Sequence, residues 1–208
     1  MQAVKNIYLF VFDTLSDWEI GYVTAGISNP WMQINPNKYQ IRTFSLDGKA
    51  VRTIGGIQIL PDMGLDEVNA SDAEMLILPG GFIWENDENH QIDQLIRDFH
   101  DSEIKIAGIC GATYGLAKLG LLDSIKHTSN SKKYILSSNY AGSHNYQDQP
   151  SVSDEGIITA TGVAPIEFAR DIFHELCLYK PETLEAWYKL NKASSPALFA
   201  ELLKTLES

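Results

Sequence analysis

The sequence predicts a doubly wound α/β sandwich, a mostly parallel sheet covered by helices on both faces in the flavodoxin-like manner. Three observations lead there. Short, nearly all-apolar runs rich in aromatic and β-branched residues alternate with amphipathic segments, the links between them are short, and one apolar run ends in the small-residue corner Gly108-Ile109-Cys110-Gly111-Ala112. Runs that are apolar on both faces suit buried strands, and parallel neighbours need crossover connections, which the intervening helices supply.

Residues 6–12, aromatic and β-branched almost throughout, read as the first central strand. Ser16 or Asp17 can cap a helix over 18–27, where Ile20, Val23 and Ile27 recur at helical spacing. Residues 39–45 predict a second strand, and Gly55-Gly56 marks a turn before a short extended piece at 57–60. Residues 73–78 form a further buried strand that runs into Pro79-Gly80-Gly81. The segment 90–102 then sets Ile92, Leu95, Ile96 and Phe99 on one helical face, and 105–109 is the strand that ends at Cys110. After a helix at about 112–119, residues 120–140 show no decisive period. A strand at 156–161 and a helix at 165–178, opened by Pro165 in its first turn, complete the sandwich. Residues 183–190 and 196–206 are again helical, an extension from about 181 that either packs on the sheet or meets a second subunit.

The 208 residues, 44% hydrophobic, suffice for one domain with a full core and no disulfide or metal staple. Sixteen Lys+Arg against 27 Asp+Glu give a net charge of −11, spread without long runs, so the surface is solvated and nucleic acid is repelled. No apolar run reaches membrane-spanning length and the first residues lack a signal-peptide pattern, so a cytoplasmic location without membrane contact is expected. Cys110 and Cys177 do not form a C-x-x-C pair, which suits free thiols in a reducing compartment. Metal-ligand spacing, a phosphate loop and a dinucleotide fingerprint are all missing, so neither metal nor cofactor is expected.

Cys110 carries the chemistry. Ligands of open parallel sheets bind beyond the carboxyl ends of the strands, and small residues around the cysteine allow the tight strand-to-helix turn that projects a nucleophile. The helix that follows points its N-terminus at the sulfur, which should favour the thiolate. Cys177, beside Leu176 and Leu178 in an amphipathic helix, reads as a packing residue.

Leu78-Pro79-Gly80-Gly81, then the segment from Ala107 through Cys110 to Leu116, then Ile158-Thr159-Ala160-Thr161-Gly162 leading to Glu167-Phe168-Ala169, resemble the DJ-1/PfpI superfamily of class I glutamine amidotransferase-like proteins over about residues 6–178. The resemblance implies one such domain over residues 1–208, commonly a homodimer. It implies that Glu19 hydrogen-bonds the nucleophile and that the backbone N–H groups of Gly81 and Gly111 form an oxyanion hole. It also places His127 near the cysteine as a proton relay, with His144 in a polar loop as the second choice. The departures are informative too. Gly111 stands where peptidase-like relatives carry a histidine, and no His-x-Glu occurs, which argues against glutamine hydrolysis.

The leading expectation is therefore a cysteine-dependent enzyme acting on an electrophilic carbonyl or acyl carbon of a small molecule or peptide, either glyoxalase III-like or hydrolase-like. The alternative from another class is a thiol redox sensor or chaperone-like protein without turnover. A purely structural flavodoxin-like module is the third.

Overall fold

A computed structural model describes residues 4–85, 90–193 and 195–207. Its centre is a seven-stranded sheet. The strands are β1 (Lys5–Phe10), β2 (Tyr39–Ser45), β5 (Met63–Gly64), β6 (Ala73–Leu78), β7 (Lys105–Ile109), β8 (Ser151–Asp154) and β9 (Ile157–Ala160), in the order β5-β2-β1-β6-β7-β9-β8. Every pairing is parallel except that of β8 with β9. A separate antiparallel hairpin of β3 (Val51–Arg52) and β4 (Gln58–Ile59) turns through Gly55-Gly56. The predicted parallel sandwich is thus present. Edge strand β8 is an addition, because its half-exposed Ser-Val-Ser-Asp sequence lacks the apolar run by which the buried strands announce themselves.

Period-two alternation sends the side chains of β1 to two different layers. Tyr8 and Phe10 share one face and head an aromatic column. Tyr8 meets Phe99 of α2 (His90–Asp101) and Phe44 edge-on at 6.1 and 6.2 Å, Phe44 stacks on Phe10 at 5.3 Å, and Phe10 meets Trp84 at 6.2 Å. That column, with α3 (Gly111–Lys118), covers one side of the sheet and ends beneath Cys110.

On the opposite side α1 (Asp17–Ser28) packs against α5 (Pro165–Glu175). Phe173 is wholly buried there, its ring filling the space beside Gly26 and meeting Tyr179 at 5.0 Å and Trp187 at 5.1 Å. Trp187 belongs to α6 (Pro181–Ala193), which packs on α5, and α7 (Pro196–Glu207) packs on α6. The C-terminal helices therefore form an outer layer of the same fold. Inside α5, buried Glu167 accepts from Tyr188 Oη at 3.0 Å and pairs with Lys192 Nζ at 2.8 Å, which fastens α6 in place.

One local expectation changes. The chain after α3, which shows no decisive period in sequence, is a loop followed by the short helix α4 (Lys132–Leu136), too brief to leave a periodic signal. Cys177 is exposed, not packed, because α5 ends at Glu175 and the chain turns out through a left-handed residue at φ 47°. Among the described residues no helix is long and apolar enough to cross a membrane.

Phe173→Ala removes the ring that joins α1, α5 and α6, and should cost about 3–5 kcal/mol of unfolding free energy. Urea titration followed by far-UV circular dichroism measures it; a loss under about 1 kcal/mol would show that these layers are not held by that ring.

Candidate active site

The carboxyl ends of β6, β7 and β9 lie side by side, so the segments that follow them, at 79–81, 110–111 and 161–163, meet at one point together with the first turn of α1. Cys110 occupies that point with φ 59° and ψ −122°, a backbone conformation a cysteine adopts only when its surroundings enforce it, at a cost of roughly 1–3 kcal/mol. The enforcement is visible. Cys110 N donates to Ala160 O at 2.9 Å, and Cys110 O accepts from Thr113 N at 3.2 Å and Thr113 Oγ1 at 2.6 Å.

Glu19 is wholly buried. Its Oε2 accepts the Gly80 N–H at 2.6 Å, whereas Oε1 has no hydrogen-bond partner among the described residues. The carboxyl and the sulfur lie together between Gly80 and Gly162. A methyl group on Gly80 would sit 2.8 Å from Glu19 Oε2 and 2.9 Å from Cys110 Sγ, and one on Gly162 would sit 2.7 Å from Sγ and 3.2 Å from Oε1. Any side chain at either position would separate the two groups, which is why both are glycine.

Burial pushes the Glu19 carboxyl up to about 7, although the Gly80 N–H favours its anion. Burial, followed by the charge of Glu19, pushes the Cys110 thiol up to about 11, against the opposing donation of Asn130 and the Gly111 N–H. Burial and the neighbouring carboxylate thus act against the acidifying effect expected of the helix N-terminus. The helix dipole acts on a largely desolvated sulfur beside a carboxylate, and those two effects win unless Glu19 keeps its proton.

Gly81 and Gly111 are brought together: a methyl group on Gly111 would lie 3.5 Å from Gly81 N and 3.0 Å from Gly81 O. His127 is placed differently from its expected role. It is wholly buried, its Nδ1 is 2.9 Å from Ile125 O, its Nε2 is 2.8 Å from Tyr140 Oη, and its ring meets Tyr140 and Tyr146 edge-on. Burial holds it neutral, below the ordinary histidine range. With both ring nitrogens bound locally it anchors the loop that follows it. His144 is exposed near His127.

The residue that reaches the sulfur is one the sequence did not single out. Asn130 Nδ2 donates to Cys110 Sγ at 3.3 Å, and its Oδ1 accepts the Gly162 N–H at 2.9 Å. An asparagine between Ser129 and Ser131 looks like ordinary turn chemistry, so no local signal marks it.

Around the mouth, Trp18, Phe82 and Val163 are exposed at 54%, 68% and 89%. Thr14, whose carbonyl borders Gly81 and whose Oγ1 accepts from Phe82 N at 3.2 Å, also lines a cavity of about 660 Å³ with Asp13, Val51, Arg52 and Ile54. A cavity of about 680 Å³ lies at the other end of the sheet, near Lys5 and Lys105, and holds none of these groups.

The sequence profile of the DJ-1/PfpI family matches residues 5–175. The chain belongs to this family. It is 40% identical over 205 residues to YoaZ, named an uncharacterized protease, of Bacillus subtilis, covering 97% of this chain and 98% of that protein. It superposes with a TM-score of 0.91 and 35% identity on a thiJ/pfpI family protein from Bacillus anthracis, with full coverage of both chains. Drosophila melanogaster DJ-1beta matches at 27% identity and a TM-score of 0.68, over 90% of this chain and 97% of that one.

Gly111 has a steric cause. A β-carbon there would stand 2.9 Å from Trp84 Cδ1 and 3.0 Å from Gly81 O, and Trp84, locked by Nε1 donation to Pro79 O at 2.8 Å, also covers Gly115.

A carboxyl raised by burial stabilises the fold fully below its unfolded value and loses that contribution as pH rises through its folded value. For Glu19, moved from 4.5 to about 7, the loss between about pH 4.5 and 8 should approach 3 kcal/mol at about 1.36 kcal/mol per unit. Glu19→Gln cannot ionise, so the stability difference between it and the wild type should grow in its favour across that window in urea titrations at stepped pH. A flat difference would mean the carboxyl is not desolvated.

Proposed function

We propose that the protein is a cysteine-dependent enzyme acting on the aldehyde carbon of small 2-oxoaldehydes, in the manner of a glyoxalase III. The observation that carries this reading is the Glu19 carboxyl, wholly buried beside the Cys110 sulfur, with Oε1 unpartnered among the described residues. A proton on Oε1 removes both the orphaned acceptor and the like-charge repulsion, and it turns the carboxyl into a donor to the thiolate. Transfer of the thiol proton to that carboxylate then puts the pair's single negative charge on sulfur and stores its proton on the adjacent acid.

Attack of the Cys110 thiolate on the aldehyde carbon forms a C–S bond and moves the carbonyl electrons to oxygen, where the Gly81 and Gly111 N–H groups bind the oxyanion. Protonation of that oxygen by Glu19 gives a hemithioacetal. The carboxylate so formed takes the C1 proton and returns it at C2 while the C1 hydroxyl proton passes to the C2 oxygen, converting the neighbouring ketone to a hydroxyl and the hemithioacetal to a thioester. Water cleaves the thioester, releasing a 2-hydroxy acid and the thiol; the net change is addition of one water, with no external oxidant or reductant. A carboxyl near 7 suits both directions of transfer at neutral pH.

Amide hydrolysis, which the protease name of the relative YoaZ suggests, is the second reading. It asks for a base to activate water against a poor leaving group. His127 has both nitrogens engaged and Asn130 does not titrate, which favours the aldehyde. The exposed Trp18, Phe82 and Val163 at the rim favour an apolar substituent on it.

Lactate formation from methylglyoxal should be abolished in Cys110→Ala and fall about 10²- to 10⁴-fold in Glu19→Gln, while phenylglyoxal should show the lower KM in the wild type. Turnover that persists in Cys110→Ala would overturn the proposal.

A further inference from the structure

Asn130 stands in the site with its amide aimed from both ends. The Gly162 N–H donates to Oδ1 at 2.9 Å, so the oxygen is identified by its partner and Nδ2 is the atom 3.3 Å from Cys110 Sγ. Gly162 is fixed in turn, because its carbonyl accepts from Trp18 Nε1 at 2.9 Å. The approach to Asn130 is equally constrained. Thr128 N donates to Thr159 Oγ1 at 2.9 Å, Thr128 Oγ1 donates to Gln149 O at 2.7 Å, and Ser129 Oγ and Thr113 Oγ1 share a hydrogen bond of 2.6 Å. Thr113 Oγ1 also holds the Cys110 carbonyl, so one chain of bonds ties the loop to the nucleophile's own backbone.

This network orients a group that can only donate. An amide nitrogen has no lone pair to accept an S–H, and thiol sulfur is a weak acceptor, so the contact gains most of its strength when the sulfur is anionic. Unlike an imidazole, the amide keeps both N–H bonds at every pH the protein tolerates. We infer that Asn130 is a third catalytic residue, a non-titrating donor that favours the anionic form of the Cys110 sulfur, in the place for which the sequence pointed to His127. The inference rests on Cys110 being the nucleophile. One N–H of Nδ2 faces the sulfur, and the other remains for an oxygen of whatever adds to it. Proton movement is thereby left to Glu19 alone.

The rate of iodoacetamide alkylation of Cys110 against pH tests this in the full chain, in a Cys177→Ser background so that a single thiol reports. Asn130→Ala should raise the apparent thiol pKa by about one unit and slow alkylation at pH 7 about tenfold. Asn130→Asp keeps the shape and the acceptor for Gly162 N–H but replaces the donor with a charge, so it should slow alkylation further; circular dichroism confirms that each variant is folded. Wild-type profiles in both variants, with Glu19→Gln still shifting the curve, would overturn the role of Asn130 and leave the Cys110–Glu19 reading standing. An ordinary thiol profile in the unsubstituted chain would overturn both.

Discussion

A carboxyl group without access to water and a sulfur atom beside it can hold at most one negative charge between them. Two anions in that volume would repel each other in a medium that screens poorly, so ionisation of one group opposes ionisation of the other. The pair at Glu19 and Cys110 is met by the Gly80 N–H on the carboxyl and by Asn130 and Gly111 on the sulfur, so either placement of the charge finds a hydrogen bond. Glycines at 80 and 162 let the two groups touch. Much of the surrounding architecture serves to keep this small, dry arrangement from relaxing.

The scaffold does so through rigid elements. The strained backbone at Cys110 is clamped by Ala160 on the adjacent strand and by Thr113 in the helix it opens. Beneath it the aromatic column from Phe99 to Trp84 leaves the helix no room to shift, since the indole lies directly on Gly111 and Gly115. Behind Glu19, the packing of α1 on α5 around Phe173 sets the height of the helix and with it the depth of the carboxyl. Interiors packed this tightly are poorly compressible, so distant contacts decide sub-ångström distances at the sulfur.

Charge at longer range points the same way as the local chemistry. A chain of net charge −11 whose central pair is itself anionic discourages anionic ligands from approaching, and a neutral aldehyde meets no such barrier. The carboxylic acid product of the proposed reaction, ionised at neutral pH, would be repelled by the same field.

Much of the fold was legible in residue order: apolar runs for β1, β6 and β7, the period of α2, Pro165 opening α5, and the glycine-framed corner that marks Cys110. These are local properties of a chain, encoded within a few residues of where they act. The edge strand β8, the short α4 and the exposure of Cys177 are not legible there, because weak or interrupted patterns carry no period. Glu19, an acid in the first turn of α1, carries no local mark of its place beside the sulfur, and only the family resemblance points to it. What tertiary structure alone decided is which groups meet at the sulfur. Asn130 reaches it from 20 residues away in sequence, while His127 turns its nitrogens to Ile125 and Tyr140. Both outcomes are set by long-range contacts among Thr113, Ser129, Thr159 and Gly162, and a hydrogen bond between segments that meet only after folding leaves no mark on the spacing of residues along the chain.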